Sequence, residues 1–279
     1  MYKKNKTAEW VKFAILLIFA LLVLYPLIWM VGSSFKPEAD IFTDLGIIPK
    51  QFTLENYEIG WRSNGRVTFS TYFLNSIIVS GLCVIGNLFS CTLAAFAFAR
   101  LNFKGKNLFF ALMMMTMMLP QHAIIVPQYV YFYKLGWIDS FSPLVIPKFL
   151  ATDAFFVYLL IQFIRGIPRE LDEAAIVDGC SAYKVFWKVI LPLCQPALVT
   201  TTIFTFMWSW NDMFIPMLVV YNDSARTLPL GLMFFFGKYT VDHSLVAAGV
   251  TICTLPVVIV YTLFQKSFIT GITAGAVKG

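Results

Sequence analysis

Long apolar runs decide what this chain can become. Six of them, each about 20 residues or more, lie at roughly 13–34, 72–99, 108–131, 143–163, 195–220 and 244–265. With 59% hydrophobic and only 13% charged residues, the chain has about half the charge usual for a soluble domain and too little polar surface to cover itself. In lipid each backbone group must find its partner within the segment, so the runs are helices; they are too long and too continuous for barrel strands. The expected fold class is an all-α membrane protein with six transmembrane helices and a polar loop between helices 4 and 5. Lengths above about 20 residues leave room for tilt.

Lysine and arginine set the orientation. With the N-terminus inside, the inner segments 1–12, 100–107, 164–194 and 266–279 hold thirteen of the 21 basic residues, and the outer segments 35–71, 132–142 and 221–243 hold seven. That bias places both termini in the cytoplasm. It also accounts for the net charge of +6 without nucleic acid. The basic stretch MYKKNKTAEWVK before the first span has no small-residue cleavage pattern after it and is read as an uncleaved anchor. The expected organisation is a cytoplasmic N-terminus (1–12), a permeation domain (13–266) and a cytoplasmic tail (267–279).

The segment 164–194 is too charged for lipid and is the longest inner connection. Pro168 suits the start of a helix, and Glu170, Asp172 and Glu173 sit near its positive end. Asp178-Gly179 breaks that helix, and Ser181 can cap a second one. There Ala182, Val185, Phe186, Val189 and Ile190 form an apolar stripe, with Lys184 and Lys188 opposite. The expectation is two short helices across the cytoplasmic face. Glu173, Ala174, Ala175 and Gly179 make a low-profile knuckle suited to a groove on another protein, or else part of a plain interfacial hairpin.

Charges inside spans need an account, because each costs on the order of 3 kcal/mol at mid-bilayer. Lys148 and Asp153, in the outer half of the fourth span, either bind substrate hydroxyls or form a structural pair with Lys148 reaching outward. In the fifth span Trp208, Trp210, Asn211 and Asp212 combine aromatic faces with amide and carboxylate groups, a set suited to sugars or to core packing. In the third, five methionines precede Pro120 and Pro127. A kinked span follows, suited to a gate, with Gln121 and His122 as candidate lining groups. Pro216 and Pro256 are expected to give comparable breaks. The five cysteines lie in or beside apolar segments and read as small buried hydrophobes; with two histidines in the chain, no metal site is expected.

Three stretches carry a family likeness. EAAIVDG at 173–179, followed by ILP at 190–192, resembles the cytoplasmic loop of ABC importer permeases. WSWNDMFIPMLVV at 208–220 is similar to the fifth-span motif of carbohydrate importers of the maltose-transporter type. ITGITAGAVKG at 269–279 resembles the tail of the subunit in that family whose C-terminus reaches the ATPases. The resemblance implies a multi-pass protein of the bacterial cytoplasmic membrane. Its partners would be a second, usually different permease subunit, two ATP-binding subunits and an extracytoplasmic solute-binding protein. On it, Glu173–Gly179 is the coupling helix docked in the ATPase. Thr273, Gly275 and Lys278 insert between the ATPases. Asn222, Asp223, Arg226 and Tyr239 of the outer segment 221–243 contact the binding protein.

The chain is not expected to be an enzyme or to bind a cofactor; ATP and magnesium belong to the partner ATPase. The nearest approach to a phosphate loop is FFFGKY at 234–239, where Leu232 replaces the first glycine and Tyr239 the Ser or Thr. An ion-coupled secondary transporter using Lys148, Asp153 and Asp212 is the competing reading. An intramembrane enzyme lacks an evident cluster of acids or nucleophile–base pair.

Overall fold

The computed structural model describes residues 6–62, 67–236 and 241–276, with side chains at 9–62, 67–120, 123–236 and 241–265. Every element longer than a turn is helical, and no strand occurs among the described residues. Four stretches are long and apolar enough to cross a bilayer: Glu9–Ser33, Phe69–Arg100, Ser142–Gly166 and His243–Gln265. A fifth is a bent pair, Ala182–Leu193 and Gln195–Asn211, whose axes differ by 76°. The third expected span is instead two helices of 11 and 14 residues, neither long enough alone.

The chain forms two compact units, residues 1–69 with 232–255, and 70–231 with 256–279. In the first, α1 (Lys6–Ser33) is 28 residues, about 42 Å at 1.5 Å per residue, and longer than a hydrocarbon core of about 30 Å. Every side chain from Glu9 to Ile28 is exposed, so lipid or another protein must cover this helix. The segment that follows it is ordered. Lys36 is buried and donates to the carbonyls of Asp44 (2.5 Å) and Gly46 (2.6 Å). Asn56, in α2 (Glu55–Arg62), donates to the carbonyls of Ser34 and Lys36. Glu38 accepts from Ser244 N at 2.8 Å and meets His243 Nδ1 at 3.0 Å.

The second unit holds α3 (Phe69–Arg100), α4 (Lys106–Thr116), α5 (Gln121–Lys134), α6 (Ser142–Val145), α7 (Ala154–Gly166), α8 (Glu170–Val177), α9 (Ala182–Val185), α10 (Leu191–Leu193), α11 (Gln195–Asn211), α12 (Phe214–Val219) and α13 (Leu228–Gly231). The last helix, α14 (His243–Ala276), runs through Pro256 unbroken. One core joins α3, α7, the loop helices and α11: Cys91, Ala95 and Phe96 meet Phe156, Leu160 and Ile164, then Val185, Phe186 and Ile190, then Cys194 and Ala197.

Proline placement differs from expectation in an instructive way. Pro120 stands at a break, just before α5. Pro127 lies inside α5 and Pro256 inside α14 without ending either helix. Pro216 sits in the first turn of α12, where its missing N–H leaves no bond unmade. The fifth-span break falls earlier, at Asp212 and Met213.

Candidate functional site

The loop after α7 is built from both ends. Ile167 turns extended after α7, and α8 starts at Glu170 with Glu170, Asp172 and Glu173 in its first turn. Gly179 has φ +81° and closes α8. Its N–H bonds Ile176 O (2.9 Å), and Cys180 N–H bonds Ala175 O (2.9 Å). This paired closure places a residue in the left-handed region where a Cβ is disfavoured, so the requirement for glycine is conformational. Ser181 Oγ then accepts from Lys184 N at 3.4 Å, capping α9. A π-helical turn at Phe186–Ile190 and α10 lead into the 76° bend before α11.

Burial divides the loop into two faces. Ala175, Val185, Phe186 and Ile190 join the core of the spans, and Phe186 meets Phe96 of α3 at 5.2 Å between ring centroids. Glu173, Ala174 and Gly179 face outward, and Val177 is 86% exposed beside exposed Leu171 and Ile176. Of the two alanines in the knuckle, Ala174 therefore faces outward while Ala175 roots the helix. An ion pair fixes this arrangement. Arg100, at the end of α3, contacts Asp172 Oδ2 through Nε at 2.7 Å and donates from Nη2 to Ile167 O at 2.7 Å. Burial pushes the Asp172 carboxyl up, and Arg100 and Arg169 pull it partly back. No sequence spacing connects Arg100 with Asp172; only the fold brings them together.

A second polar cluster lies where the fourth span is interrupted. A 3-10 turn at Ile146–Leu150 ends at Ala151, which has φ +53°. Gly86 of α3 lets this turn lie close: a Cβ there would fall 2.7 Å from the Phe149 ring and 3.1 Å from the Lys148 backbone. Lys148 Nζ pairs with Asp153 Oδ2 at 2.8 Å, so the ammonium is neutralised internally. Asn87, fully buried, donates to the same carboxylate oxygen at 2.7 Å and to Thr205 Oγ1 of α11 at 3.1 Å. Ser90 donates to Lys148 O at 2.6 Å. Asn87 and Thr205 escaped the sequence reading because amide and hydroxyl groups within apolar runs carry no charge signal.

The fifth-span candidates separate. Trp210 is buried between Phe206 (5.3 Å, stacked) and Phe73 (5.7 Å, edge-on). Trp208 is half-exposed and packs on Phe155, Phe156 and Phe204. Asn211 donates to Met207 O at 2.8 Å. Asp212 accepts from the N–H groups of Phe214 (3.1 Å) and Ile215 (3.3 Å), so its carboxylate starts α12. The side chains of Gln121, His122 and Thr273 lie outside the described residues, as do Tyr239 and Lys278.

At the start of the segment 221–243, Asp139 Oδ1 accepts from Tyr221 N (3.0 Å) and Asn222 N (2.7 Å). Asn222 caps Ser224, and Asp223 pairs with Arg226 at 3.0 Å. Asn75 donates to the carbonyls of Ser224 and Arg226. These bonds make 221–226 a tied-down knob.

The loop helix is rooted in the spans, carries an exposed acidic and apolar face, and is set before a bent span. Residues 86–273 match the family described as "Binding-protein-dependent transport system inner membrane component". The chain belongs to that family. It is 34% identical to a probable ABC transporter permease protein, YurM, of Bacillus subtilis, over 99% of this chain and 89% of that one. It is 34% identical to the trehalose/maltose transport system permease protein MalG of Thermococcus litoralis, and 33% identical to the probable starch degradation products permease AmyC of Thermoanaerobacterium thermosulfurigenes. Each covers 94% of both chains. A crystal structure of a bacterial ABC transporter that imports alginate superposes with a TM-score of 0.82 at 24% identity, covering 96% of this chain and 99% of that one. As a member of this family, the chain is a multi-pass component of a bacterial inner membrane.

Proposed function

We propose that the chain is one permease subunit of a binding-protein-dependent ABC importer for an oligosaccharide or related sugar. The sugar-transport relatives support the substrate class. The observation that carries the mechanism is α8: its exposed face is acidic and apolar, while Ala175 and the Arg100–Asp172 pair root it in the spans. On this reading α8 sits in a cleft of an ATP-binding subunit, on the cytoplasmic side with both termini. Closure of the nucleotide sites pulls α8, the core shared by α3, α7 and α11 moves with it, and the pathway opens toward the loaded binding protein. ATP and magnesium stay on the ATPase pair. A second, different permease subunit completes the membrane domain and covers exposed α1.

Six spans follow if α4 and α5 together make the third. The tied-down knob at 221–226 is the contact for the binding protein. Lys148, Asp153 and the Trp208–Asp212 stretch border the pathway, with Gln121 and His122 near the break at Pro120; residues 273–278 reach the ATPases. Purification of the tagged chain from its native membrane should bring down an ATP-binding subunit. Proteoliposomes of that complex, with the binding protein and maltodextrins, should accumulate sugar on ATP. Uptake driven by a proton gradient without ATP would overturn the proposal in favour of Lys148, Asp153 and Asp212 as an ion-coupling site.

A further inference from the structure

That mechanism leaves unused a cleft of about 660 Å³ beside the root of α8. Its walls are the end of α3 (Ala99 and Arg100), Lys106 at the start of α4, Arg165 at the end of α7, and the connection through Arg169 to Glu170. Four basic residues line it against one acidic residue. Arg100 is matched by Asp172, outside the lining. Lys106, Arg165 and Arg169 have no carboxylate within ion-pair distance among the described residues. Lys106 Nζ reaches only the carbonyl of Leu101, at 2.7 Å, and the Arg165 guanidinium lies over the Phe110 ring at 5.7 Å. Burial, and then Arg165 and Arg169, push the Lys106 pKa down. Three cations set side by side on one cleft favour an anion there.

The residues flanking Lys106 narrow the anion to one kind. Leu101, Phe103, Leu108 and Phe109, on the chain that enters and begins α4, are all exposed apolar residues. A basic cleft with exposed apolar side chains in the residues flanking Lys106, at the ends of membrane helices, matches a lipid whose phosphate enters the cleft and whose chains lie against those residues. We propose that this cleft binds the phosphate headgroup of an anionic phospholipid of the inner leaflet, with Lys106, Arg165 and Arg169 as its cationic contacts. The leaflet assignment rests on the proposed cytoplasmic placement of 164–194. Because Arg169 immediately precedes α8 and Arg165 ends α7, the bound headgroup braces the base of the coupling helix.

The test is native mass spectrometry of the full-length chain, with the subunits that co-purify, exchanged into micelles containing phosphatidylglycerol or phosphatidylcholine of identical acyl chains. The wild type should retain phosphatidylglycerol in preference to phosphatidylcholine. Each cation removed should cost about fivefold in retention, so R165Q/R169Q should lose on the order of 20-fold. R169Q alone, at an exposed position, should lose about fivefold, which keeps the test decisive if the double variant assembles poorly. Lys134→Gln, outside the cleft, should change nothing. Equal retention of the two lipids, or undiminished retention in R165Q/R169Q, would overturn the site. Displacement of the lipid by millimolar inorganic phosphate would assign the cleft to a soluble anion instead. Loss of the ATP-binding subunit with lipid retention intact would make it a protein contact. Maleimide labelling of Cys180 in sealed cells reads the orientation separately: labelling from outside sinks the cytoplasmic placement, while the lipid result in micelles stands or falls by itself.

Discussion

Two polar ties fasten α3 to its neighbours within one unit, and they serve different ends. At one end, Arg100 holds Asp172 and the carbonyl of Ile167, and so holds α8. About three and a half turns earlier, Asn87 joins Thr205 and Asp153, which holds Lys148. The Asn87 cluster satisfies its groups among themselves and closes over an interruption in the fourth span. The Arg100 tie anchors a helix whose opposite face is exposed, with Val177 at 86%. If the Asn87 cluster only repairs a break, weakening it leaves transport intact; if Lys148 and Asp153 border the pathway as proposed, transport changes with it. The tie that carries the exposed face of α8 cannot be weakened without loss of transport, if that face is the docking surface proposed above.

The largest effect should come from Arg100→Met. It leaves the Asp172 carboxylate buried without its partner, which costs on the order of 3 kcal/mol when a buried pair is broken. Recovery of the co-purified ATP-binding subunit should fall with thermal stability. The penalty should shrink in acid. Burial already raises the Asp172 pKa, so the native state holds the proton at pH values where the unfolded chain, near 3.8, has released it. Stability tied to this group therefore falls as pH rises through that window. A melting series of Arg100→Met against wild type should show the gap widening from about pH 4 upward; a gap independent of pH would separate Asp172 from the effect.

Asp153→Asn should come next, at about 2 kcal/mol, because Lys148 then lacks its counter-ion within the span. If the cluster only holds the fourth span together, the melting temperature drops while the sugar concentration for half-maximal uptake stays fixed. A shift in that concentration would move Asp153 from the scaffold to the pathway. Gly179→Val places a β-branched residue at φ +81° and should cost about 1–2 kcal/mol locally. More ATP should be hydrolysed per sugar moved, with the spans still folded; an unchanged ratio would show that the end of α8 does no coupling. The smallest effect is Asn87→Leu, about 1 kcal/mol, the usual scale for a hydrogen bond between membrane helices. It should appear in melting and leave the coupling ratio alone.

Much of this was legible in the residues themselves. The helix break at Gly179, the cap at Ser181 and the buried stripe of Val185, Phe186 and Ile190 follow from spacing alone, because they are local. The interruption of the third span at Pro120 was legible from the proline, but not that α4 already ends at Thr116 or that α5 runs on through Pro127, because the apolar run is continuous. Asp212 reads as a charge inside a span because composition does not mark where a helix restarts; its bonds to Phe214 and Ile215 make it the start of α12. Trp210 reads as a sugar platform, yet Phe73, from a distant helix, helps cover it. The Arg100–Asp172 and Asn87–Asp153 contacts join residues 66 to 72 positions apart, and no periodicity encodes such pairs.

The account's central claim is that the exposed face of α8 is gripped by a nucleotide-driven partner. A photo-crosslinking residue at Val177, activated in intact membranes and resolved by mass spectrometry, tests it most directly. The account predicts one dominant adduct with an ATP-binding subunit, its yield changing when ATP is added. Adducts confined to lipid or to the extracytoplasmic binding protein would contradict it.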